Sequence, residues 1–300
     1  MARREDDAAS APRATDTGYG DDRRVILITG ASSGIGYASA RDMATRGWRV
    51  FATVRTNEDA ARVGALPGVT ALRLDYAIPA TIAETAAALL EATGGRIDAL
   101  FNNGAYGQPG AVEDLSTDVL RAQFEANLFG WHDLTRRLIP AMRARRFGRI
   151  VQCSSILGFV ALKYRGAYIA SKHALEGLTD TLRLELADTG ISVSSIQPGP
   201  IATNFVQASM KKFRENIDIE ASPHRAVYMR RLERMGKGGA STFKLPPEAV
   251  VTALVHACEA RRPRPVYRVT TPTKMLSVVK RVLPVRWFHA MAMRISDGEQ

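Results

Sequence analysis

Tyr168 and Lys172 stand four residues apart in "YIASKHALEGL", inside a stretch whose apolar residues recur at helical spacing. Residues i and i+4 share one helix face, so the pattern sets a phenol beside an ammonium. Such a pair can move protons. A phenol with a pKa of about 10 is a poor proton shuttle near neutrality. A neighbouring cation favours the phenolate and brings that pKa down. Taken alone, the pair is equally an ordinary helix surface, and the rest of the chain has to decide.

The second chemical group is "TGASSGIG", Thr29 to Gly36, which follows a β-branched run and opens a helical pattern. Gly30, Gly34 and Gly36 permit a tight turn and a close approach of a pyrophosphate to backbone N–H groups. Ser32, Ser33 and Ile35 belong to the same turn, and the helix N-terminus adds partial positive charge. The spacing is GxxxGxG rather than the general GxGxxG fingerprint. Strand, glycines and helix nevertheless fall in the order that nucleotide binding requires.

The elements that must position these groups appear as an alternation. Short apolar runs at 24–29, 48–54, 69–74, 97–101, 149–154 and 191–197 are separated by helical stretches, one of which ends at Gly190. This pattern predicts an α/β fold, a Rossmann-type doubly wound parallel sheet in three α/β/α layers, forming a single domain over 24–270. Ligands of such sheets bind at the carboxyl ends of the strands near the topological switch point. Residues 203–246 are too long for a plain connection and are expected to form a substrate lid. Residues 1–23 read as a disordered arm, and 271–300 as a basic amphipathic extension.

Composition bounds the partners. The 300 residues carry a net charge of +11, which permits anionic partners but selects none. "RARRFGR" at 143–149 reads as a solvated loop entering a strand, and no nucleic-acid-binding module accompanies it. Cys153 and Cys258 are far apart and the five histidines are scattered, so no metal site is expected. No secretory h-region and no spanning apolar run occur. The expected location is cytoplasmic, with peripheral contact at the inner membrane surface as the membrane alternative.

TGxxxGxG followed by YxxxK resembles the short-chain dehydrogenase/reductase family, in particular its steroid and retinol dehydrogenase-like members and their bacterial aldehyde-reducing relatives. "NNGA", the asparagine of "ANLFG", "SS" and "PGPIAT" follow in family order, so the resemblance covers 24–270. It implies a catalytic set of Asn127, Ser155, Tyr168 and Lys172. Ser155 would bind the substrate oxygen, Tyr168 would act as general acid/base, and Lys172 would tune it and reach the nicotinamide ribose. Asn127 would hold a water that relays protons through Lys172. Ser154 competes with Ser155, but neighbours on a strand face opposite ways, and the family's thirteen-residue spacing before the tyrosine selects Ser155. Tyr164 competes with Tyr168, but no lysine stands four residues after it.

For the cofactor, the resemblance implies Asp75 at the adenine, Asn102 and Gly104 near its ribose, and Pro198, Gly199, Ile201 and Thr203 around the nicotinamide. "DYAIP" and "NNGA" depart from the family's usual forms. The second strand ends "VFATVRT", with Val54 where an NAD enzyme has an acid and Arg55 next to it. An arginine there pairs with a 2′-phosphate, so NADP(H) is preferred over NAD(H).

Phe205, Val206, Met210 and Phe213 of the insert, with Leu157, Phe159 and Val160, are either pocket lining or core. As lining they imply a small hydrophobic carbonyl or alcohol as substrate. The extension, divided at Pro284 into two short helices, is expected to pack over the substrate cleft or a subunit interface. Its alternative is an interfacial membrane segment through 272–294, with Trp287, Phe288 and Met291 turned inward. Family precedent implies a homo-oligomer, a dimer or a tetramer. The competing function is a catalytically idle NADP-binding sensor or scaffold, against which the complete Asn–Ser–Tyr–Lys set speaks.

Overall fold

Val25–Ile28 (β1) sets four buried apolar side chains in succession, as a strand covered on both faces must. The computed structural model describes residues 22–236 and 244–298. Its further strands are Arg49–Val54 (β2), Val69–Arg73 (β3), Ala99–Asn102 (β4), Gly148–Cys153 (β5), Ile191–Gln197 (β6) and Val266–Arg268 (β7). All pair in parallel, in the order β3-β2-β1-β4-β5-β6-β7. Ile26 of β1 is in register with Val50 on one side and Ala99 on the other. The chain therefore reverses its direction across the sheet between β1 and β4. A crevice opens there, at the carboxyl ends of the two strands.

The helices are Gly34–Thr45 (α1), Asn57–Gly64 (α2), Pro79–Ala92 (α3), Thr117–Phe124 (α4), Gly130–Ala144 (α5), Gly166–Glu185 (α6), Phe205–Asn216 (α7), Arg225–Gly236 (α8), Glu248–Glu259 (α9), Thr271–Val282 (α10) and Val285–Gly298 (α11). Hydroxyl caps start three of them. Thr56 accepts from the Asp59 N–H at 3.1 Å, Ser116 from Val119 at 3.3 Å and Thr270 from Thr273 at 3.4 Å. α1 packs beside α9, and α3 beside α5. α1–α6 and α9 flank one sheet and share a core that includes Trp48, Phe51, Phe101 and Trp131, while α7 and α8, and α10 and α11, pack in two smaller clusters.

The structure corrects several expectations. β7 escaped the sequence reading because three residues within "PRPVYRV" are too few to show a period. It exists by pairing with β6, Ser195 to Val266. α6 ends at Glu185, five residues before Gly190. Gly190 is glycine for another reason: its φ is +82°, and a Cβ there would lie 2.0 Å from the Arg146 carbonyl oxygen. Arg149 of "RARRFGR" is a buried residue of β5 rather than part of a solvated loop. Its guanidinium donates to Ser192 Oγ at 3.3 Å and lies over Phe147, and burial lowers its pKa. The 203–246 insert is largely helical, as α7 and α8, with 237–243 outside the described residues. Of the N-terminal arm, residues 1–21 likewise lie outside them.

Candidate active site

The turn after β1 requires glycine twice over. Gly30 has φ +65° and Gly34 φ +55°, the left-handed region. A Cβ on Gly30 would come within 2.4 Å of Gly104 Cα, and one on Gly36 within 2.2 Å of the Gly30 carbonyl oxygen. Ser33 leads into α1 with extended backbone and no side-chain cap, so the first N–H groups of α1 have no side-chain partner of that kind. A cradle of glycines at a helix N-terminus fits a dinucleotide pyrophosphate.

The turn is fastened to the end of β4. Thr29 Oγ1 accepts from the backbone N–H groups of Asn103 at 2.8 Å and Gly104 at 3.1 Å, and Asn103 Nδ2 donates to Thr29 O at 3.0 Å. Asn102 turns the other way: its buried amide donates to Thr135 Oγ1 at 2.9 Å and Gln152 Oε1 at 3.0 Å. The structure thus brings Asn103 and Gly104 to the glycine turn, while the Asn102 side chain ties β4 to α5 and β5. Asn103 was missing from the sequence candidates, although the polar pair after an apolar strand was visible.

At the adenine end, Arg55 is exposed just past β2. Arg62 on α2 reaches the same place, donating to the Ser32 carbonyl oxygen at 2.6 Å with its guanidinium 5.6 Å from the Tyr37 ring centroid. The sequence reading missed Arg62 because only the docking of α2 brings it to the turn. Asp75 accepts from the Ala77 N–H at 3.0 Å. Tyr76 fills the space beside Gly104 and Gly130, and its buried hydroxyl donates to Asn102 Oδ1 at 3.3 Å. Burial raises its pKa. That packing accounts for the unusual "DYAIP".

On the nicotinamide side, Thr203 lies against the glycine turn: a Cβ on Gly34 would be 2.9 Å from its methyl carbon. Pro198 O accepts from the Ile156 N–H at 2.8 Å, and Ile201 bridges to Leu245. Gly199 backs onto the start of α10, where a Cβ would meet Thr270 Oγ1 at 2.2 Å.

Ser155 and Tyr168 come together at the ends of β5 and α6. The Ser155 hydroxyl accepts from the Leu157 N–H at 3.1 Å and is close enough to the Tyr168 phenol to act on its pKa. Burial pushes the phenol's pKa up, and Ser155 opposes that push. Ser154 points away; its buried Oγ has no hydrogen-bond partner among the described residues and faces Gly158. Tyr164 is directed to the lid, where it stacks edge-on with His224 and Tyr228.

Lys172 is 1% exposed. Its ammonium donates to the Cys153 carbonyl oxygen at 2.9 Å, and lies 4.1 Å from the Trp131 ring centroid and 5.8 Å from that of Tyr168. Burial lowers its pKa to about 8, while Cys153 and Glu176 favour the charged form. Trp131 was not among the sequence candidates, and only packing reveals its contact with the ammonium. Asn127 occupies a single π turn, Glu125–Phe129, between α4 and α5. Its Nδ2 donates to Tyr106 O at 2.9 Å and Ser171 Oγ at 3.3 Å, and Ser171 donates to Tyr168 O at 2.8 Å.

Of the candidate lining residues, Phe205 is the one that touches the phenol, edge-to-face with centroids 5.5 Å apart. Val206 is exposed, and Met210 and Phe213 pack with Ala111, Ile217 and Tyr228 in the lid's own core. Val160 and Phe159 instead join Leu276 and Phe288 of the extension, and Leu157 is buried. The lid is fastened to the 106–116 loop: Tyr228 Oη accepts from the Ala111 N–H at 2.7 Å and donates to Asp114, and Asn216 donates to Gln108 at 2.8 Å.

Comparison with known proteins shows the family. Residues 24–213 match the family described as short chain dehydrogenase. The chain is 38% identical to the uncharacterized oxidoreductase YbbO of Escherichia coli, over 88% of this chain and 92% of that protein. It is 31% identical to retinol dehydrogenase 8 of Homo sapiens, over 80% and 79%. A short-chain dehydrogenase from Streptomyces avermitilis superposes with a TM-score of 0.74 at 29% identity, covering 94% of this chain and 100% of that one. A Burkholderia phymatum short-chain dehydrogenase/reductase in complex with NAD gives 0.72 at 28% identity, covering 87% and 93%. A variant of the actinorhodin polyketide ketoreductase with NADPH gives 0.68 at 28% identity, covering 83% and 96%. A nicotinamide dinucleotide is thus the cofactor class that the glycine turn serves. The chain belongs to the short-chain dehydrogenase/reductase family and is an NAD(P)-dependent oxidoreductase.

Proposed function

We propose that the protein is an NADPH-preferring reductase of lipophilic aldehydes or ketones, interconverting them with their alcohols, with Tyr168 as general acid/base. The observation that carries this reading is the Tyr168 ring lying 5.8 Å from the buried Lys172 ammonium, with Ser155 opposing the rise in the phenol's pKa. When bound, the nicotinamide supplies the hydride. The protein's own part is protonic. Ser155 Oγ holds the substrate oxygen in the position that Tyr168 Oη protonates, and the Lys172 charge favours the phenolate left behind. Asn127 belongs to the path that returns a proton to Lys172, through a water held at its amide. The nucleotide is held by Gly30, Ser32, Ser33, Gly34, Ile35 and Gly36 at the phosphates. Asp75 and Gly104 border the adenosine, with Asn102 supporting that edge from within the sheet, and Pro198, Gly199, Ile201 and Thr203 border the nicotinamide.

Preference for NADPH is supported by Arg55 after β2, where no acid stands, and by Arg62 at the Ser32 carbonyl. A lipophilic substrate is supported by the Phe205 edge against the phenol. It is also supported by similarity to a relative named for retinol. A homodimer or tetramer is favoured by the apolar cleft between α5 and α6, lined by Leu128, Leu175, Leu178 and Leu182. The same proposal divides the chain into the oxidoreductase domain at 24–270, its lid at 203–246 and the extension at 271–300. No helix of the described residues is long and apolar enough to cross a membrane, and we place the protein in the cytoplasm. The test is NADPH consumption against a panel of aldehydes and ketones. The expected result is turnover that rises with substrate hydrophobicity, and NADPH binding without turnover across the panel would establish the idle sensor instead.

A further inference from the structure

The C-terminal extension has two apolar faces, and the protein uses one. Leu276 of α10 and Phe288 of α11 are buried against Val160, with Val279, Met291 and Ile295 packed around them. Lys163 is tied to Asp297 at 2.7 Å, and its backbone N–H donates to Ser296 Oγ at 3.1 Å. This inner face covers the loop that follows Ser155. The sequence reading turned Trp287 inward with Phe288 and Met291, but Trp287 points to solvent and is 58% exposed.

The outer face carries Met275, Val278 and Val282 at spacings of three and four on α10, all exposed. It continues through an elbow around Pro284 in which every residue from Lys280 to Trp287, "KRVLPVRW", is exposed. Val285 is 70% exposed there. Cations are interleaved with the apolar groups: Lys274, Arg281 and Arg286 are exposed, Lys280 donates to the Phe159 carbonyl on the inner side, and no acidic residue occurs between Arg261 and Ile295. The Arg286 guanidinium lies 5.5 Å from the Trp287 ring centroid. Isolated exposed apolar residues need no explanation, whereas a contiguous patch of them does.

We infer that the outer face of α10 and the elbow dock the protein on an anionic lipid surface. Apolar side chains with an interfacial tryptophan supply burial, and the interleaved basic residues attract anionic headgroups. A second copy of the chain fits the patch poorly. A twofold contact sets a surface against itself, so the uncompensated cations of one copy would face those of the other. The cleft between α5 and α6 also offers self-association a separate apolar face that lacks this repulsion. Docking through α10 would hold the loop after Ser155 about one helix diameter, roughly 10 Å, from the lipid surface. A lipophilic substrate would then reach the site without crossing bulk water. The docking itself does not depend on the proposed reaction.

The tryptophans provide the measurement. Trp48 and Trp131 are buried and Trp287 is exposed, which accounts for all three in the chain. Full-length protein is mixed with vesicles of phosphatidylcholine, with and without phosphatidylglycerol, and followed by co-sedimentation and intrinsic fluorescence. The expected result is sedimentation with the anionic vesicles only, with a blue shift of Trp287 emission that high salt reverses. Arg281→Gln with Arg286→Gln should weaken binding on the order of thirtyfold, given roughly 1 kcal/mol per basic residue at such a surface. Val282→Ser with Val285→Ser should abolish the blue shift. Both double variants should keep the thermal unfolding midpoint of the parent. Absence of binding, or equal binding by the variants, would overturn the inference. So would a variant that loses vesicle binding only because it changes the oligomeric state in lipid-free solution, since the face would then belong to a second copy.

Discussion

The Lys172 ammonium lies 4.1 Å from the Trp131 ring centroid, and the indole N–H of the same tryptophan donates to the Gly104 carbonyl oxygen at 2.8 Å. One side chain thus supports the buried cation with its face and the nucleotide turn with its edge. The ring's negative face stabilises the charged form of the lysine, offsetting part of the desolvation that lowers its pKa to about 8.

Replacing Trp131 separates these duties. As pH rises through about 8, Lys172 loses its proton and carbonyl reduction should decline. Trp131→Leu removes the ring, so the ammonium is less favoured and the declining limb should move to lower pH by about one pH unit or more. Trp131→Phe keeps a π face but no N–H. It should hold the limb near its original position while raising the KM for NADPH. Identical pH profiles in the parent and Trp131→Leu would remove the electrostatic role.

Lys172 should weaken the fold that it serves. Its folded-state pKa of about 8 lies below the ordinary 10.5, so the unfolded chain holds the proton more tightly. The resulting penalty, about 3 kcal/mol, is present in full below pH 8 and fades as pH rises toward 10.5. Lys172→Met should therefore abolish turnover yet melt at or above the parent's temperature at pH 7. The gap should narrow between pH 8 and pH 10.5. A clearly lower melting temperature at pH 7 would mean that the bonds to Cys153 and Trp131 outweigh desolvation.

For Tyr168, the expectation is separation of binding from chemistry. Tyr168→Phe keeps the ring that meets Phe205 at 5.5 Å but removes the hydroxyl. Turnover should fall by a factor of 100 or more, of the order of a general acid's contribution, with NADPH affinity unchanged. Persisting turnover would return "YIASKHALEGL" to an ordinary helix surface.

At the cofactor's adenine end, Arg55→Ala should raise the KM for NADPH far more than that for NADH, because only NADPH carries the 2′-phosphate. Arg62→Ala should act in the same direction, since Arg62 already reaches the Ser32 carbonyl. Steady-state kinetics with both cofactors decide this, and an equal change for the two would discard the preference.

The lid gives a prediction about substrate. Tyr228→Phe strips the hydroxyl that the buried Ala111 N–H donates to at 2.7 Å and that itself donates to Asp114. Leaving such groups unpaired costs about 1–3 kcal/mol. The lid should loosen, the KM for carbonyl substrate should rise severalfold and kcat should change less. An unchanged KM would detach this latch from substrate binding.

Local pattern was enough for much of this protein. Strand–helix alternation announced the parallel sheet, since buried strands must be apolar on both faces and amphipathic helices must cover them. The glycines at 30, 34 and 36 and the pair Tyr168 and Lys172 were legible because their roles depend on spacing within one turn or one helix. β7 was not legible, because three residues become a strand only when β6 offers a partner. Arg62, Asn103 and Trp131 were hidden for a related reason: each acts across 30 to 74 positions of sequence, on Ser32, Thr29 and Lys172 respectively. The choice between Ser154 and Ser155 needed both levels. Strand alternation separates the two hydroxyls in principle, but only the packing of α6 against the turn at 156–158 after β5 puts the Tyr168 phenol on the side of Ser155. The tail shows the same division. Its basic amphipathic character stood in the sequence, while tertiary packing decided which apolar residues it buries and which, Trp287 among them, it leaves in water.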